Sequence, residues 1–495
     1  MKLSVHFAPL YEIPADWLIV TKWEDEPFSA PVAELDAKLD RALSRLVERG
    51  DVTGKAKELT PLYDVRGVSA QRVLVLGLGK RAKADPSLLL NTAAAAAKLT
   101  TTKSYPRLAL ALPDGVPSIP AEIVARLVAV GLMQGSEGPG IRKNKVDRFA
   151  PQEIWIVAQA SGPLEAMASA VRRAEIEGRA VSLARELVNM PPCDLYPETF
   201  AERAVEVARK AGVECHVFDE PRLVQERMGS LLAVAQGSDR PPRLVTLRHR
   251  KGGNGKTLAL VGKGVTFDSG GLSIKTTDGM VDMKCDMAGA AAVLAAMQAI
   301  AELDLPVNVM GIMALVENMP SGKAVKLGDV LKARNGKTIE VLNTDAEGRL
   351  ILADALAWAV DQKADRIVDL ATLTGACVVA LGGEVAGVMS NNDGWSEKVQ
   401  TAARTVGELV WPLPMYPLYS EMIKSEVADI KNTGGSRYGG AISAAKFLEE
   451  FVADVPWVHM DIAGPAFADK ESASRSAGGT GCFVRTLVEL ASGAV

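Results

Sequence analysis

The sequence predicts an α/β protein with two α/β domains: a smaller N-terminal one, and a larger C-terminal one whose central mixed sheet is flanked by helices. Three observations predict this fold class. Short apolar runs typical of strands alternate with helical stretches over most of the chain. A long charged stretch with helical period, ending at two prolines, separates the two alternating regions. The length of 495 residues is sufficient for two or three domains with large cores.

The first predicted domain covers residues 1–160. Its strand-like runs include residues 72–77 and its helical runs include residues 88–99. Gly77 and Gly79 follow a strand as in a dinucleotide fingerprint, but Ala82 stands at the third glycine position, so a tight turn is favoured. The N-terminus alternates like a strand and lacks the layout of a signal peptide.

A connecting helix and linker are predicted for residues 161–195, because residues 164–189 have a helical period that Pro191 and Pro192 end. The third predicted region, residues 196–495, is the larger α/β domain. Its strand-like runs are 257–261, 307–313, 366–370 and 457–462, and its helical runs are 198–211, 287–303 and 350–360. Residues 252–256 resemble part of a phosphate-binding loop, but the strand follows them instead of preceding them, which favours a solvated turn.

Composition narrows the classes of protein. With 48% hydrophobic and 23% charged residues the chain is typical of a soluble α/β protein. The formal net charge of −4 gives no overall attraction to nucleic acid or to an anionic membrane. Five cysteines, an odd number without CxxC spacing, suit reduced thiols and a cytoplasmic location. Uncharged stretches such as 287–301 are shorter than a membrane span and are expected to be buried helices.

The acidic turn at residues 343–350 (NTDAEGRL) is the most informative segment. It places Asp345, Glu347 and Arg349 within five residues at the start of a predicted helix. Acidic residues are also common in the first turn of a helix because of the helix dipole, and that alternative suffices for an isolated Asp-x-Glu. The segment therefore indicates a metal site only if further ligands lie close to it.

Such ligands occur in a predicted Gly-rich loop after residues 258–261, which carries Lys263, Asp268 and Lys275, and in Asp286 at the start of the next predicted helix. We expect these residues to meet the acidic turn at the carboxyl edge of the sheet. Four carboxylates there would repel one another without cations, and two divalent ions would neutralise them. The alternative, in which the two lysines pair with neighbouring aspartates at the surface, stays open at this point.

Three phrases together carry a family resemblance: residues 261–271 (VGKGVTFDSGG), 283–289 (MKCDMAG) and 343–350 (NTDAEGRL). In this order they resemble the cytosolic leucyl aminopeptidase family, peptidase family M17 of the bacterial aminopeptidase A type, whose eight-residue signature the third phrase matches in full. Residues 369–375 and 461–464 add to the likeness, which covers the chain from about residue 165 to its end. The N-terminal 160 residues resemble the family only in length and α/β character.

The resemblance implies a metal-dependent aminopeptidase with two divalent ions per subunit, Mn²⁺ or Zn²⁺. By matching position, one ion is bound by Lys263, Asp268, Asp286 and Glu347, and the other by Asp268, Asp345 and Glu347. A ligating Lys263 has to be neutral, which two neighbouring dications favour. The oxygen-rich set suits either metal.

The resemblance also implies the chemistry. A water activated by the two ions attacks the first peptide bond, and Lys275 acts as the electrophile that stabilises the developing oxyanion. Arg349 is too basic to accept a proton, so it is expected to hold a bicarbonate ion as the general base. Coordination of the substrate's free α-amine restricts cleavage to the N-terminal residue, preferentially leucine and other apolar residues.

Residues expected to bind substrate follow from the same matching positions. The pocket for the first side chain would be apolar, with ordinary core packing as the open alternative. The substrate-binding set is Met283, Asn343, Thr372, Leu373, Gly375 and Ala463. The Gly-rich stretch 432–440 is expected near the site, without an assigned role.

Phosphoester hydrolysis and DNA binding are two alternative functions. A two-metal phosphoesterase would share the acidic cluster, but the ligating and electrophilic lysines match peptidases better. DNA binding is suggested by a basic run within residues 240–256, which we interpret instead as a solvated loop before a strand. The expected partners are therefore peptide substrates, with DNA not favoured and no membrane. The resemblance further implies a homohexamer built as a dimer of trimers.

Overall fold

The computed structural model describes residues 1–158, 164–436 and 438–493. The chain divides into two compact units, Met1–Ser182 with Lys470–Ala477, and Leu183–Asp469 with Gly478–Val495. Each unit is built on its own sheet flanked by helices, which confirms the predicted fold class. The domain boundaries at residues 160 and 195 stay a prediction. The first of them lies outside the described residues, and the compact units divide inside the connecting helix.

The first unit has a sheet of six strands. The strands are β1 (Lys2–His6), β2 (Trp17–Trp23), β3 (Leu59–Leu62), β4 (Val73–Gly79), β5 (Arg107–Ala111) and β6 (Glu153–Val157), and the helices are α1 (Ala30–Lys38), α2 (Ala42–Arg49), α3 (Pro86–Thr100), α4 (Ala121–Gly135) and α5 (Leu164–Asn189). The strand order is β1-β6-β5-β2-β4-β3, and neighbouring strands are parallel except for β3 and β4. Every residue of β4 is buried, as expected for a strand covered on both faces.

The second unit has more elements around a larger sheet. Its helices are α6 (Pro197–Ala211), α7 (Glu220–Gln225), α8 (Gly229–Ala235), α9 (Thr277–Met280), α10 (Ala288–Glu302), α11 (Glu347–Asp361), α12 (Gly375–Leu381), α13 (Asp393–Val406), α14 (Gly440–Glu449) and α15 (Val484–Gly493). Its strands are β7 (Glu214–Phe218), β8 (Arg243–Arg250), β9 (Thr257–Asp268), β10 (Asn308–Asn318), β11 (Val330–Lys332), β12 (Thr338–Glu340), β13 (Arg366–Ala371), β14 (Ala386–Ser390), β15 (Val410–Pro412), β16 (Ile430–Lys431), β17 (Trp457–Asp461), β18 (Phe467–Ala468) and β19 (Gly478–Gly479).

The central sheet of the second unit has eight strands in the order β15-β14-β17-β13-β9-β10-β8-β7. Its middle strands β17, β13, β9 and β10 are parallel, whereas β8 and β7 on one side and β14 on the other join antiparallel neighbours. The sheet is therefore mixed, as predicted. Two small sheets, β11-β12-β16 and β18-β19, lie outside it.

Two local expectations differ from the structure. The Gly-rich stretch after residue 261 was expected as a loop, but β9 continues to Asp268 because residues 262–268 pair with β10 as far as Asn318. Lys263 and Asp268 therefore lie on a strand. The acidic turn does begin a helix, α11, but the strand before it is β12, which belongs to a small sheet instead of the central one.

The apolar stretch around α10 is a core helix. By length and composition the segment Thr277–Glu302 could cross a membrane, yet 83% of its most apolar window is buried inside the protein. Helix α10 contacts β9, β10 and α15. Its alanines and glycines let it pack closely on the sheet, and its position needs no membrane.

Candidate metal centre

The candidate centre forms where β9 runs beyond its neighbour β13. The last pair between these strands joins Gly262 to Leu370, so β9 has no β13 partner from Lys263 onward. Close packing brings the start of α10 to the same place. A Cβ on Gly289 would lie 2.1 Å from the carbonyl oxygen of Leu370, so only glycine lets the start of α10, and with it Asp286, approach the sheet this closely.

Helix α11 approaches the same point through Gly348. A Cβ there would lie 2.6 Å from Cε of Lys263, so the lysine side chain runs across the helix backbone at this glycine. Glu347, the first residue of α11, is thereby set beside Lys263. Three separate segments meet at one place, as the sequence predicted for the carboxyl edge of the sheet.

Lys263 is the centre of the buried cluster. Its Nζ lies 2.8 Å from Oδ1 of Asp286 and 2.8 Å from Oε1 of Glu347, and it donates to the carbonyl oxygen of Thr372 at 2.9 Å. Only 3% of the lysine side chain is exposed. The surface pairing that the sequence left open therefore does not describe Lys263.

Lys275 bridges the other two carboxylates. Its Nζ lies 2.8 Å from Oδ2 of Asp268 and 2.5 Å from Oδ1 of Asp345. Asp268 is held further by the backbone N–H of Gly270 at 2.9 Å and by Nδ2 of Asn318 at 2.8 Å. Lys275 is more exposed than Lys263, with 18% of its side chain accessible, and so lies at the mouth of the cluster.

Ligand oxygens of Asp268, Asp286 and Glu347 lie within 4.8 Å of one another, and all three residues are buried. Oδ2 of Asp286 and Oε2 of Glu347 are buried without a hydrogen-bond partner among the described residues. An unpaired buried carboxylate oxygen is costly unless a cation binds it. The donor set, several carboxylates and one amine, therefore fits divalent cations.

The electrostatics of the cluster agree with this fit. Burial raises the pKa of Asp286 well above its usual range, although the ammonium of Lys263 opposes the shift. Burial, and then the charge of Asp268, raise the pKa of Glu347. For Lys263 burial favours the neutral amine, but the charges of Asp286 and Glu347 outweigh burial and raise its pKa. The carboxylates thus crowd more negative charge than two ammonium groups neutralise.

Arg349 lies in the first turn of α11, two residues after Glu347, and is buried. Its Nη1 donates to the carbonyl oxygen of Asn432 at 2.9 Å, while its Nε has no partner among the described residues. Burial lowers the pKa of Arg349 to about 10, so the guanidinium remains charged at neutral pH. A buried cation with a free N–H is suited to bind a small anion.

The six residues expected to bind substrate are placed as follows. Oγ1 of Thr372 donates to Oδ1 of Asp286 at 2.7 Å, which ties this residue to the cluster. Leu373 and Ala463 both donate their backbone N–H groups to Oδ1 of Asp461, each at 3.2 Å, and are brought together by that carboxylate. Gly375 begins α12 on the same loop.

The other two expected residues are near the cluster in sequence, and their place in a pocket stays a prediction. Met283 begins a short 3₁₀ helix that ends just before Asp286. Oδ1 of Asn343 accepts from the backbone N–H of Asp345 at 2.9 Å, so this side chain shapes the acidic turn itself.

Sequence reasoning missed two buried asparagines. Asn318 ends β10 and donates to both Asp268 and the carbonyl oxygen of Thr344, so it joins β9 to the acidic turn. The predicted strand ended at residue 313, so Asn318 did not stand out as a strand end. Asn432 accepts from the backbone N–H of Leu342 and donates to the carbonyl oxygen of Asn343. It belongs to the Gly-rich stretch 432–440, of which Arg437 lies outside the described residues.

The basic run was interpreted as a solvated loop, but residues 243–250 form the strand β8, so that interpretation is wrong for most of the run. Its members lie on β8 and the adjoining loops, where most have partners of their own. Arg250 lies 3.6 Å from Glu214, Lys251 lies 2.6 Å from Asp304, and Arg240 stacks on Tyr196 at 3.8 Å. The two acidic partners reduce the attraction to phosphates, so DNA binding remains the interpretation that is not favoured.

Comparisons with known proteins agree with this geometry. Residues 182–488 match the model of the cytosol aminopeptidase family catalytic domain, and residues 19–138 match that of the family's N-terminal domain. A probable cytosol aminopeptidase of Rhodopirellula baltica is 48% identical over 92% of this chain and 88% of its own length. One of Syntrophotalea carbinolica is 44% identical over 99% of both chains.

Solved structures show the same likeness. A mutant of tomato leucine aminopeptidase superposes with a TM-score of 0.90 at 35% identity, covering 99% of this chain and 96% of that one. The bottromycin maturation enzyme BotP in complex with Mn superposes with a TM-score of 0.84 at 36% identity, covering 97% of this chain and 99% of that one.

Proposed function

Because the chain belongs to the cytosol aminopeptidase family and is thus a metal-dependent aminopeptidase, we propose that it removes N-terminal leucine and other apolar residues from peptides through a two-metal centre. The observation that carries the proposal is the buried cluster around Lys263. It combines crowded carboxylates, two oxygens without partners and a neighbouring buried guanidinium. A cluster with four carboxylates and only two ammonium groups is arranged to bind metal.

The two ions would share some of their ligands. Lys263, Asp268, Asp286 and Glu347 would bind one, and Asp268, Asp345 and Glu347 would bind the other, together with the backbone carbonyl of Asp345. When bound, the ions would supply Lewis-acid polarisation of the peptide carbonyl and a water with a pKa near neutrality. Mn²⁺ and Zn²⁺ both suit these ligands. The Mn complex of BotP, a structure of similar fold, supports Mn²⁺.

Lys263 would change its charge on metal binding. Its ammonium lies between Asp286 and Glu347, and their charges raise its pKa against the effect of burial. An amine can coordinate a metal only through its unprotonated lone pair. Metal binding would therefore release the proton from Lys263 and remove the ammonium as a counter-charge.

Lys275 would act as the electrophile at the mouth of the centre. Its Nζ already lies close to Asp268 and Asp345, and those two carboxylates raise its pKa although burial opposes them. It therefore stays protonated at neutral pH. Placed there, the ammonium can donate to the carbonyl oxygen of the scissile bond as negative charge develops on it.

Arg349 would hold the group that moves the proton. The guanidinium cannot itself accept a proton at neutral pH, because its pKa of about 10 keeps it charged. Its free Nε lies in a buried site, so it can bind bicarbonate with a charge-assisted hydrogen bond. The anion would supply a general base.

A direct assay tests the proposal. Purified protein loaded with Mn²⁺ should hydrolyse leucine p-nitroanilide, and Asp345→Ala, which removes a carboxylate of the second ion, should abolish turnover. Absence of turnover by the wild type under saturating Mn²⁺, or full activity of Asp345→Ala, would contradict it. Diffraction at the metal absorption edges would count the ions and identify them.

We also propose a cytoplasmic homohexamer built as a dimer of trimers. The named relatives are cytosol aminopeptidases, and the five cysteines form no disulfide with one another, as expected for a reducing compartment. Sedimentation of the purified protein should give the mass of six chains, and a monomer would contradict the hexamer.

A further inference from the structure

Asp461 is a buried carboxylate that is not among the proposed metal ligands. It is the last residue of β17 and is fully buried. It pairs with Ala371, the last residue of β13, so the two parallel strands end side by side. The loops that leave these ends carry the residues Thr372, Leu373, Gly375 and Ala463 of the proposed substrate pocket.

One carboxylate joins both loops. Oδ1 of Asp461 accepts the backbone N–H of Leu373 at 3.2 Å and that of Thr374 at 3.4 Å on the first loop, and that of Ala463 at 3.2 Å on the second. Its Oδ2 accepts the hydroxyl of Thr374 at 2.6 Å. Four donors satisfy the buried carboxylate, and each belongs to the wall of the pocket or to the residue beside it.

The opposite end of the first loop is fixed by the metal centre. Thr372 donates through Oγ1 to Asp286 and accepts from Nζ of Lys263. Beyond it, Oγ1 of Thr374 accepts the N–H of Cys377 at 3.0 Å and so caps the start of α12. The loop is therefore held at one end by the metal ligands and at the other by Asp461.

We propose that Asp461 is a positioning residue that sets the side-chain selectivity of the enzyme by fixing the separation of Leu373 and Ala463. It touches no substrate; it holds the two walls between which the first side chain would lie. The inference rests on the proposed function. A leucine side chain needs both walls at the right separation, whereas alanine is too short to contact them fully, so loosening the clamp should penalise leucine more.

Two substitutions remove the same hydrogen bond from opposite sides. Asp461→Asn keeps Oδ1 as an acceptor but puts an amide NH₂ where Oδ2 accepted the hydroxyl of Thr374. Thr374→Val removes that hydroxyl. The ratio of kcat/KM for leucine over alanine p-nitroanilide should fall by about 10-fold in Asp461→Asn, mainly through KM for leucine, since side-chain pockets discriminate by such factors. Thr374→Val should shift it the same way, and the double variant no further.

Glu408→Gln is the matched control. Glu408 accepts the backbone N–H of Phe483 at 2.8 Å, that of Thr486 at 3.1 Å and the Thr486 hydroxyl at 2.6 Å, a similar set of donors. It should lower thermal stability without changing the leucine-to-alanine ratio. Bound Mn²⁺ per chain, measured by elemental analysis, should be the same in all variants.

The outcomes separate the two proposals. A wild type that cleaves neither substrate with Mn²⁺ present would overturn the proposed function and this inference with it. An active wild type whose leucine-to-alanine ratio survives both Asp461→Asn and Thr374→Val, or shifts equally in Glu408→Gln, would overturn the inference alone. If Asp461→Asn does not fold, Thr374→Val decides.

Discussion

Replacing Lys263 by methionine should destabilise the metal-free protein far more than the metal-loaded one. Methionine has a similar length, so the change removes the charge with little loss of packing. The lysine side chain is 3% exposed and lies 2.8 Å from each of two buried carboxylates, Asp286 and Glu347. Removing one partner of a buried ion pair costs about 3–5 kcal/mol, because the remaining charge is left without compensation.

That free energy converts into a measurable melting shift. The unfolding entropy of globular proteins is about 2.1 cal/mol/K per residue, so a unit of roughly 300 residues, the size of the second compact unit, loses about 1 °C for every ~0.6 kcal/mol. Lys263→Met should thus lower Tm by about 5–8 °C in EDTA. With saturating Mn²⁺ the ions would neutralise the carboxylates, and Lys263 would serve only as one neutral ligand among several, so the difference from wild type should fall below half of that.

Circular dichroism melts of both proteins, with EDTA and with Mn²⁺, give the four temperatures needed. Lys446→Met is the control, because Lys446 is also buried and its Nζ lies 2.7 Å from Glu449, outside the cluster. Its shift should be the same with and without metal. A Lys263→Met shift that Mn²⁺ leaves unchanged would refute the reasoning that the ammonium occupies the place of a cation.

Three other predictions concern charged groups, namely the buried carboxylates, Arg349 and the basic run. Burial raises the pKa values of Asp286, Glu347 and Asp345, so their contribution to metal-free stability is complete below the usual carboxyl range and is lost as pH rises through the raised values. The increase in Tm on adding Mn²⁺ should therefore grow as the pH rises above the usual carboxyl range, and an increase that does not change with pH would contradict these directions. Arg349→Met should lose any stimulation by bicarbonate and lower kcat by roughly 10²–10⁴-fold, as for a missing general base, and turnover assays in bicarbonate-free and supplemented buffer check this. Gel-shift assays at low salt should show no DNA complex, since acidic residues pair with Arg250 and Lys251; a salt-sensitive shift would revive the DNA hypothesis.

The sequence pattern predicted helices and strands well where a helical or strand-like period extended over many residues. The connecting helix was predicted for residues 164–189 and is observed as Leu164–Asn189. It was less reliable where glycine interrupts a strand. Gly262 and Gly264 suggested a loop, yet β9 continues through them, because Gly262 leaves room for α10 and Gly264 for the backbone of β10.

The metal cluster was predictable because its members are charged residues in short distinctive phrases. The residues that position it were not. Asn318, Asn432 and Asp461 act through backbone groups of distant loops, and nothing in the sequence around them indicates which loops those are. Their role depends on tertiary contacts across more than 80 positions of chain in the last two cases, from Asn343 to Asn432 and from Leu373 to Asp461. These contacts can be seen only in the folded structure.

The same buried polar residues explain how a centre assembled from distant segments keeps its geometry before metal arrives. Repulsion among Asp268, Asp286 and Glu347 would separate β9, α10 and α11 if the lysines were the only restraint. Neutral clamps avoid this problem, because an asparagine that joins backbone groups carries no charge to be changed by metal binding. Asn318 holds the acidic turn to β9 in this way, and its hydrogen bonds do not depend on the protonation state of Lys263. The lysine can then give up its proton to metal while the segments that carry the ligands stay in place.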